Sequence, residues 1–232
     1  RDNLDKKKNQ TSVRLVGSVN ASMKVSEKLN VTGSYSNFSA TTNRRLNQFD
    51  YINMPDMVPA DTLDYQQLSQ TGNLNVNYVF GKDKNQNVNF NYSIAGQANK
   101  QGGIIRRGQA STVQNYNLTH SINFPSTKVG LNTSLNFTDN TTGLLNNKAY
   151  GGSVSVSKKF LENKLNTNFG TLYNQTTGNA SKNGIFGVKL NMNYVFLEKH
   201  NLALYGIQMF RKTTGKENVN DLTINFNYSY SF

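Results

Sequence analysis

The last segment of the chain alternates without a break. Leu222, Ile224, Phe226, Tyr228, Tyr230 and Phe232 occupy every second position, and Thr223, Asn225, Asn227, Ser229 and Ser231 lie between them. Successive side chains of a strand point to opposite faces, so this stretch is apolar on one side and small and polar on the other. A helix would mix the two sets, and a soluble loop has no reason to sort them.

The same period recurs about eleven times. Val13, Leu15, Val19, Ala21, Met23 and Val25 share one face of the first segment, and Leu29, Val31 and Tyr35 one face of the second. Leu74, Val76, Tyr78 and Phe80 alternate with Asn73, Asn75 and Asn77; Val88, Phe90, Tyr92 and Ile94 alternate with Asn87, Asn89 and Asn91. Comparable segments lie near 116–124, 129–137, 154–160, 165–173, 186–196 and 202–210. In the last of these, Ala203, Tyr205, Ile207 and Met209 form an apolar face as good as the one built on Leu202. Leu74–Phe80 and Leu190–Phe196 are near-copies, which either duplication or equal physical demands explain.

Composition restricts the classes open to such a chain. No run of about eighteen apolar residues exists, the length a membrane-spanning helix needs. A hydrophobic fraction of 36% is compatible with a transmembrane barrel, where only alternate residues meet lipid. Cysteine is absent, which removes disulfides and thiolate metal sites. The chain of 232 residues reads as a single domain spanning 1–232.

Connections at 26–28, 81–85, 125–127, 162–163 and 198–200 read as short. Those at 42–66, 100–109, 142–148, 178–183 and 214–219 read as long, and the two kinds alternate. Outer-membrane barrels join their strands by short periplasmic turns and longer extracellular loops. The fold expected is therefore all-β, an antiparallel up-and-down transmembrane β-barrel with about 11 strands visible. An even strand number calls for at least 12 in the complete protein, so the chain reads as the C-terminal part of a longer one.

The aromatic terminal strand resembles the closing strand of bacterial outer-membrane β-barrels. That resemblance implies that Phe226, Tyr228, Tyr230 and Phe232 belong to the signal read by the barrel-assembly machinery during insertion. The Asn-rich strands, with Phe49-Asp-Tyr-Ile-Asn53 and Asp61-Thr-Leu-Asp-Tyr65, resemble C-terminal barrel regions of Bacteroidota outer-membrane proteins. It implies a place in the cell outer membrane of a Gram-negative bacterium, often as a subunit of secretion, assembly or uptake machinery. A solute transport barrel, porin-like or the end of an energised uptake receptor, is the other function the resemblance implies.

Tyr78, Phe80, Phe90, Tyr92, Phe124, Phe160, Tyr194 and Phe196 stand near short turns and read as an aromatic girdle at the lipid boundary. The opposite face reads as Asn, Ser, Thr and Gly, with Arg14, Lys24, Lys159 and Lys189 as its charges. A charge-selecting pore concentrates charge at its constriction. This wall instead suits a wide or plugged lumen, or a surface packed on further sequence.

The excess of 25 Lys and Arg over 13 Asp and Glu is spread over both ends of the strands. Arg44, Arg45, Arg106 and Arg107 suit anionic headgroups, lipopolysaccharide among them, or plain solvation. Nucleic-acid binding needs basic and aromatic residues on one face, and here they are separated. Asp50, Asp56, Asp61 and Asp64 offer oxygen ligands but match no calcium-loop spacing, so the loop reads as a cap or docking loop and no metal or cofactor is expected. Ile104 and Ile105 stand in an otherwise polar loop, as a contact patch or a loop folded on itself.

Enzymatic chemistry has little to work with. His120 falls on the lipid-facing register with Ser121 pointing the other way, and its expected neighbours are Phe90, Tyr92 and Leu131. The other histidine, His200, is expected in a turn. The expectation is a non-enzymatic barrel whose partners are outer-membrane lipid and other outer-membrane or periplasmic proteins.

Overall fold

In a computed structural model, residues 10–45, 62–102, 104–105, 110–178 and 182–231 are described. They form one antiparallel sheet. In chain order its strands are β1 (Gln10–Lys24), β2 (Leu29–Arg45), β3 (Thr62–Phe80), β4 (Gln86–Gln101), the two-residue β5 (Ile104–Ile105), β6 (Ser111–Phe124), β7 (Val129–Thr142), β8 (Leu145–Phe160), β9 (Leu165–Gly178), β10 (Lys182–Phe196), β11 (His200–Thr213) and β12 (Val219–Tyr230). Each long strand pairs with the next, from β1 to β12, while β5 folds back on the end of β4. The expected up-and-down barrel sheet is therefore present, with eleven long strands.

Register fixes the faces. Leu118 of β6 is opposite Phe90 of β4 and Leu135 of β7, and every inward Asn, Ser or Thr follows from that pairing. On β11 the pairing of Leu202 with Tyr228 and Leu204 with Phe226 puts these residues outward. Ala203, Tyr205, Ile207 and Met209 therefore point inward, which resolves the ambiguity of this segment.

No hydrophobic residue is buried among those described. Leu15, Val19, Leu222, Ile224 and Phe226 remain between 63% and 69% exposed. A soluble sheet protein hides such residues between layers. This single sheet leaves its apolar face to another solvent, and lipid is the one that suits it. The chain is a transmembrane β-barrel sheet.

The alternation of short and long connections does not hold. β7 and β8 are joined by Gly143 and Leu144 alone, and Gly143 takes the turn at a positive φ of 60°. The connections 179–181 and 214–218 are also short. Likewise β2 and β3 run on to Arg45 and back from Thr62, through positions assigned to the first long loop. The reason is physical: backbone pairing does not stop where lipid contact stops. Thr138 still pairs with Ala149 and Thr142 with Leu145, although the outward residues there are polar. Crossing needs about 9–11 residues, whereas β3 has 19 and β2 has 17.

Asp50, Asp56 and Asp61, Arg106 and Arg107, and Phe232 lie outside the described residues. Asp64 is in β3 rather than a loop, and Ile104 and Ile105 belong to a loop that folds on itself. At Gly151 a Cβ would fall on the carbonyl oxygen of Tyr173, so β8 and β9 approach there only with glycine.

The face assignment is directly testable. Val154 points outward near mid-span and Ser155 inward. Val154→Arg is expected to lower folding stability in phospholipid vesicles by about 2–4 kcal/mol, as a charge at the bilayer midplane does. Ser155→Arg is expected to cost less than about 1 kcal/mol, measured by denaturant titration.

Candidate functional site

On the outward face the aromatics fall into two rows. At the end where β3–β4, β8–β9 and β10–β11 turn, Tyr78 stacks on Phe80 at 5.3 Å and Phe80 on His120 at 6.1 Å. Tyr194 stacks on Phe196 at 5.7 Å and Phe196 on His200 at 4.7 Å. The two near-identical strand ends thus build the same Tyr–Phe–His stack. Lys158 lies 5.0 Å over the Phe160 ring in the same row. Stacks of this type contribute about 0.5–1.5 kcal/mol each beyond area burial.

The second row was not legible as a row in the sequence. Tyr92, Tyr116 and Phe137 are linked at 4.8 and 5.9 Å, and Phe186 meets Phe210 at 6.1 Å. Tyr92, grouped by sequence with the turn residues, belongs here, and Phe90 lies between the rows. Across-strand pairing, which sequence proximity does not report, brings these rings together. The rows stand about eight to ten residues apart on β6, β8 and β10. That is roughly 20–25 Å for strands tilted about 40°, the height of the apolar band of such barrels.

Beyond the second row the outward face turns polar. Gln114 accepts hydrogen bonds from the hydroxyls of Tyr92 (3.3 Å) and Tyr116 (2.9 Å), and Gln175 accepts one from Tyr173 at 2.8 Å. Lys148 pairs with Asp139 at 3.7 Å at the same level.

His120 lies on the outward face where sequence reading placed it, but with other cross-strand neighbours, and His200 is not in a turn. His120 is opposite Val88 and Thr133, not beside Phe90, Tyr92 or Leu131, because the register is offset from the one assumed. Its ring nitrogen lies 3.3 Å from Gln86 Oε1. His200 opens β11, outward, with Nδ1 2.7 Å from the Tyr228 hydroxyl; turn pairing began one residue earlier than expected. Ser121 faces the other way and receives a hydrogen bond from Asn132 at 2.8 Å. Among the described residues no group of three or more His, Asp or Glu side chains is close enough to hold a metal.

The inward wall has two regions. Toward β3 and β4 its polar side chains satisfy one another: Asn75 and Asn89 exchange two hydrogen bonds of 3.2 Å, Asn87 donates to Asn77 at 2.8 Å, and Ser36 meets Thr71 at 2.6 Å. Ser134 and Ser153 are joined at 2.8 Å. Toward β12 this changes. Asn166, Asn168, Asn191, Asn193, Asn225 and Asn227 surround Ala203 and Tyr205 in a depression of about 260 Å³. Among the described residues none of these six amides has a side-chain hydrogen bond.

Above that depression the wall carries several apolar residues, where a face of nearly all Asn, Ser, Thr and Gly was expected. Leu172, Ile185, Ile207 and Met209 point inward, as do Val16 and Phe38 on β1 and β2. Arg211 and Asp221 also face inward and pair at 3.3 Å, adding to Arg14, Lys24, Lys159 and Lys189.

No protein-family model matches the chain, and no curated protein sequence matches it. Among solved structures it is similar to a loop-deletion mutant of OmpT, an outer membrane protein of Vibrio cholerae, at 12% identity over 96% of both chains with a TM-score of 0.49. It is similar to the CymD monoaromatic hydrocarbon channel at 11% identity over 96% of this chain and 74% of that one, TM-score 0.45. A third likeness is to the beta domain of the Bordetella autotransporter Brka, at 8% identity, 96% and 91% coverage and a TM-score of 0.39. Likenesses this distant bear on no activity. The sheet itself, with its lipid-facing band between two aromatic rows, is that of a transmembrane β-barrel.

Placing the two rows at the bilayer boundaries has a measurable consequence. Tryptophan introduced at Tyr150 or Phe160 should be quenched best by lipids labelled near the headgroup, and tryptophan at Val154 by lipids labelled deep in the acyl chain.

Proposed function

We propose that this chain forms part of the wall of a larger outer-membrane barrel. In this reading it works without enzymatic activity as a subunit of an envelope assembly for secretion, barrel insertion or uptake. The observation that supports it is the pair of sheet edges. β1 and β12 end the strand order and run in the same direction, since they are the first and last of eleven antiparallel long strands. Neither outer edge has a pairing partner among the described residues. Joining β1 directly to β12 requires one parallel pair in an otherwise antiparallel sheet. Leaving the edges open exposes backbone groups to hydrocarbon at several kcal/mol each. An odd number of further strands between the two edges restores antiparallel pairing on both sides.

Outer-membrane lipid, lipopolysaccharide included, covers the outward rows in this reading, and the barrel-assembly machinery reads Phe226, Tyr228, Tyr230 and Phe232. The Asn-rich wall accords with a Bacteroidota-type protein. Both histidines support the absence of enzymatic chemistry, because each is spent in an aromatic stack. A transport barrel is the second reading, favoured by the accessible polar wall near Tyr205.

Cysteines at Asn20 on β1 and Asn225 on β12 test the edges in native outer membranes. No disulfide is expected between them, because the bond requires Cα atoms within about 7 Å. Spontaneous formation means that β1 meets β12, and the proposal falls. Purification in mild detergent should yield the chain within a larger assembly, without steady conductance in planar bilayers. A lone protein with stable ion conductance favours the transport reading instead.

A further inference from the structure

We infer that the inward depression around Tyr205 is a binding site for a neutral oligosaccharide. Its floor is made by Tyr205 and Ala203 of β11. Asn191 and Asn193 of β10 stand directly across on one side, and Asn225 and Asn227 of β12 on the other. Asn168 and Asn166 of β9 extend the amide array one strand further.

Three features select this ligand class. First, the amides are free. Asn75, Asn77, Asn87 and Asn89 on β3 and β4 are consumed in mutual hydrogen bonds, while these six, clustered around one aromatic ring, have no side-chain partner among the described residues. Water solvates free amides, and a ligand must replace that water bond for bond.

Second, each amide carries both donors and an acceptor. A sugar hydroxyl does likewise, so a run of hydroxyls can pair with a run of asparagines in either sense. A carboxylate or phosphate only accepts, and would leave half of the array unmatched. The lysines nearest in register, Lys159 opposite Asn166 and Lys189 one inward position from Asn191, do not line the depression.

Third, an aromatic ring stands among the amides. Tyr205 is half-buried, with part of its surface open to the lumen. The apolar C–H face of a pyranose packs on such a ring while its hydroxyls reach the surrounding polar groups. Small-molecule sites combine apolar contact surface with a few placed polar groups, and here Tyr205 and Ala203 supply the former and the asparagines the latter. The depression of about 260 Å³ opens onto the lumen, so a chain of sugars can run along the wall with one ring seated at Tyr205.

The test uses full-length protein purified from its own membranes in an amine-oxide detergent, which carries no sugar headgroup. Maltopentaose, cellopentaose and mannopentaose serve as probes in calorimetry and saturation-transfer NMR. At least one should bind with a Kd of about 10 mM or tighter. Tyr205→Phe keeps the ring and should retain that binding, whereas Tyr205→Ala should weaken it about tenfold or more. Heat-modifiable migration on gels confirms that both variants are folded barrels. Absence of binding by all three pentasaccharides overturns the inference, as it would if polypeptide covered the site. Unchanged binding by folded Tyr205→Ala overturns it equally.

Discussion

Backbone hydrogen bonding in a medium without water is the constraint from which the rest of this structure follows. Each strand's N–H and C=O groups have no solvent to fall back on inside a bilayer, so they must pair with a neighbouring strand. That demand holds β1 to β12 in one continuous ladder without a buried hydrophobic core. It also makes the two outer edges of the sheet its most consequential feature. Side chains are secondary in the energetic order, and they decide only which face meets which solvent.

Pairing also outlasts the lipid. Above the aromatic row of Tyr92, Tyr116 and Phe137, the outward positions become Gln114, Asp139 and Lys148, yet the ladder continues to Thr142 and Leu145. Water tolerates a paired strand as well as a solvated loop, and the neighbouring strand is already in place. The hydroxyl-to-amide contacts at Gln114 and Gln175 mark the level where the surroundings change.

The inner wall is divided in a comparable way. Mutual amide pairing joins Asn75 to Asn89 and Asn77 to Asn87 in one region, whereas the unpaired amides around Tyr205 leave the other able to bind. The apolar residues above it, Leu172, Ile185, Ile207 and Met209, give that part of the lumen a second chemical character. Paired and unpaired asparagines are identical as letters, and only their spacing across strands separates them.

Period-2 patterning by itself determined the class of fold, the number of long strands, and the outward set on segments such as Leu222–Tyr230, because a strand's alternation is local. The same locality hid what depends on neighbours. Whether Leu202 or Ala203 faces lipid was undecided until β11 was registered against Phe226 and Tyr228. His200 looked like a turn residue until Phe196 and Tyr230 paired with it. Tyr92 joined the upper row only through Tyr116 and Phe137, and loop lengths misled because a polar strand and a loop have similar compositions. Cross-strand register is set by the whole sheet at once, and tertiary structure alone decided which amides meet and which stay free.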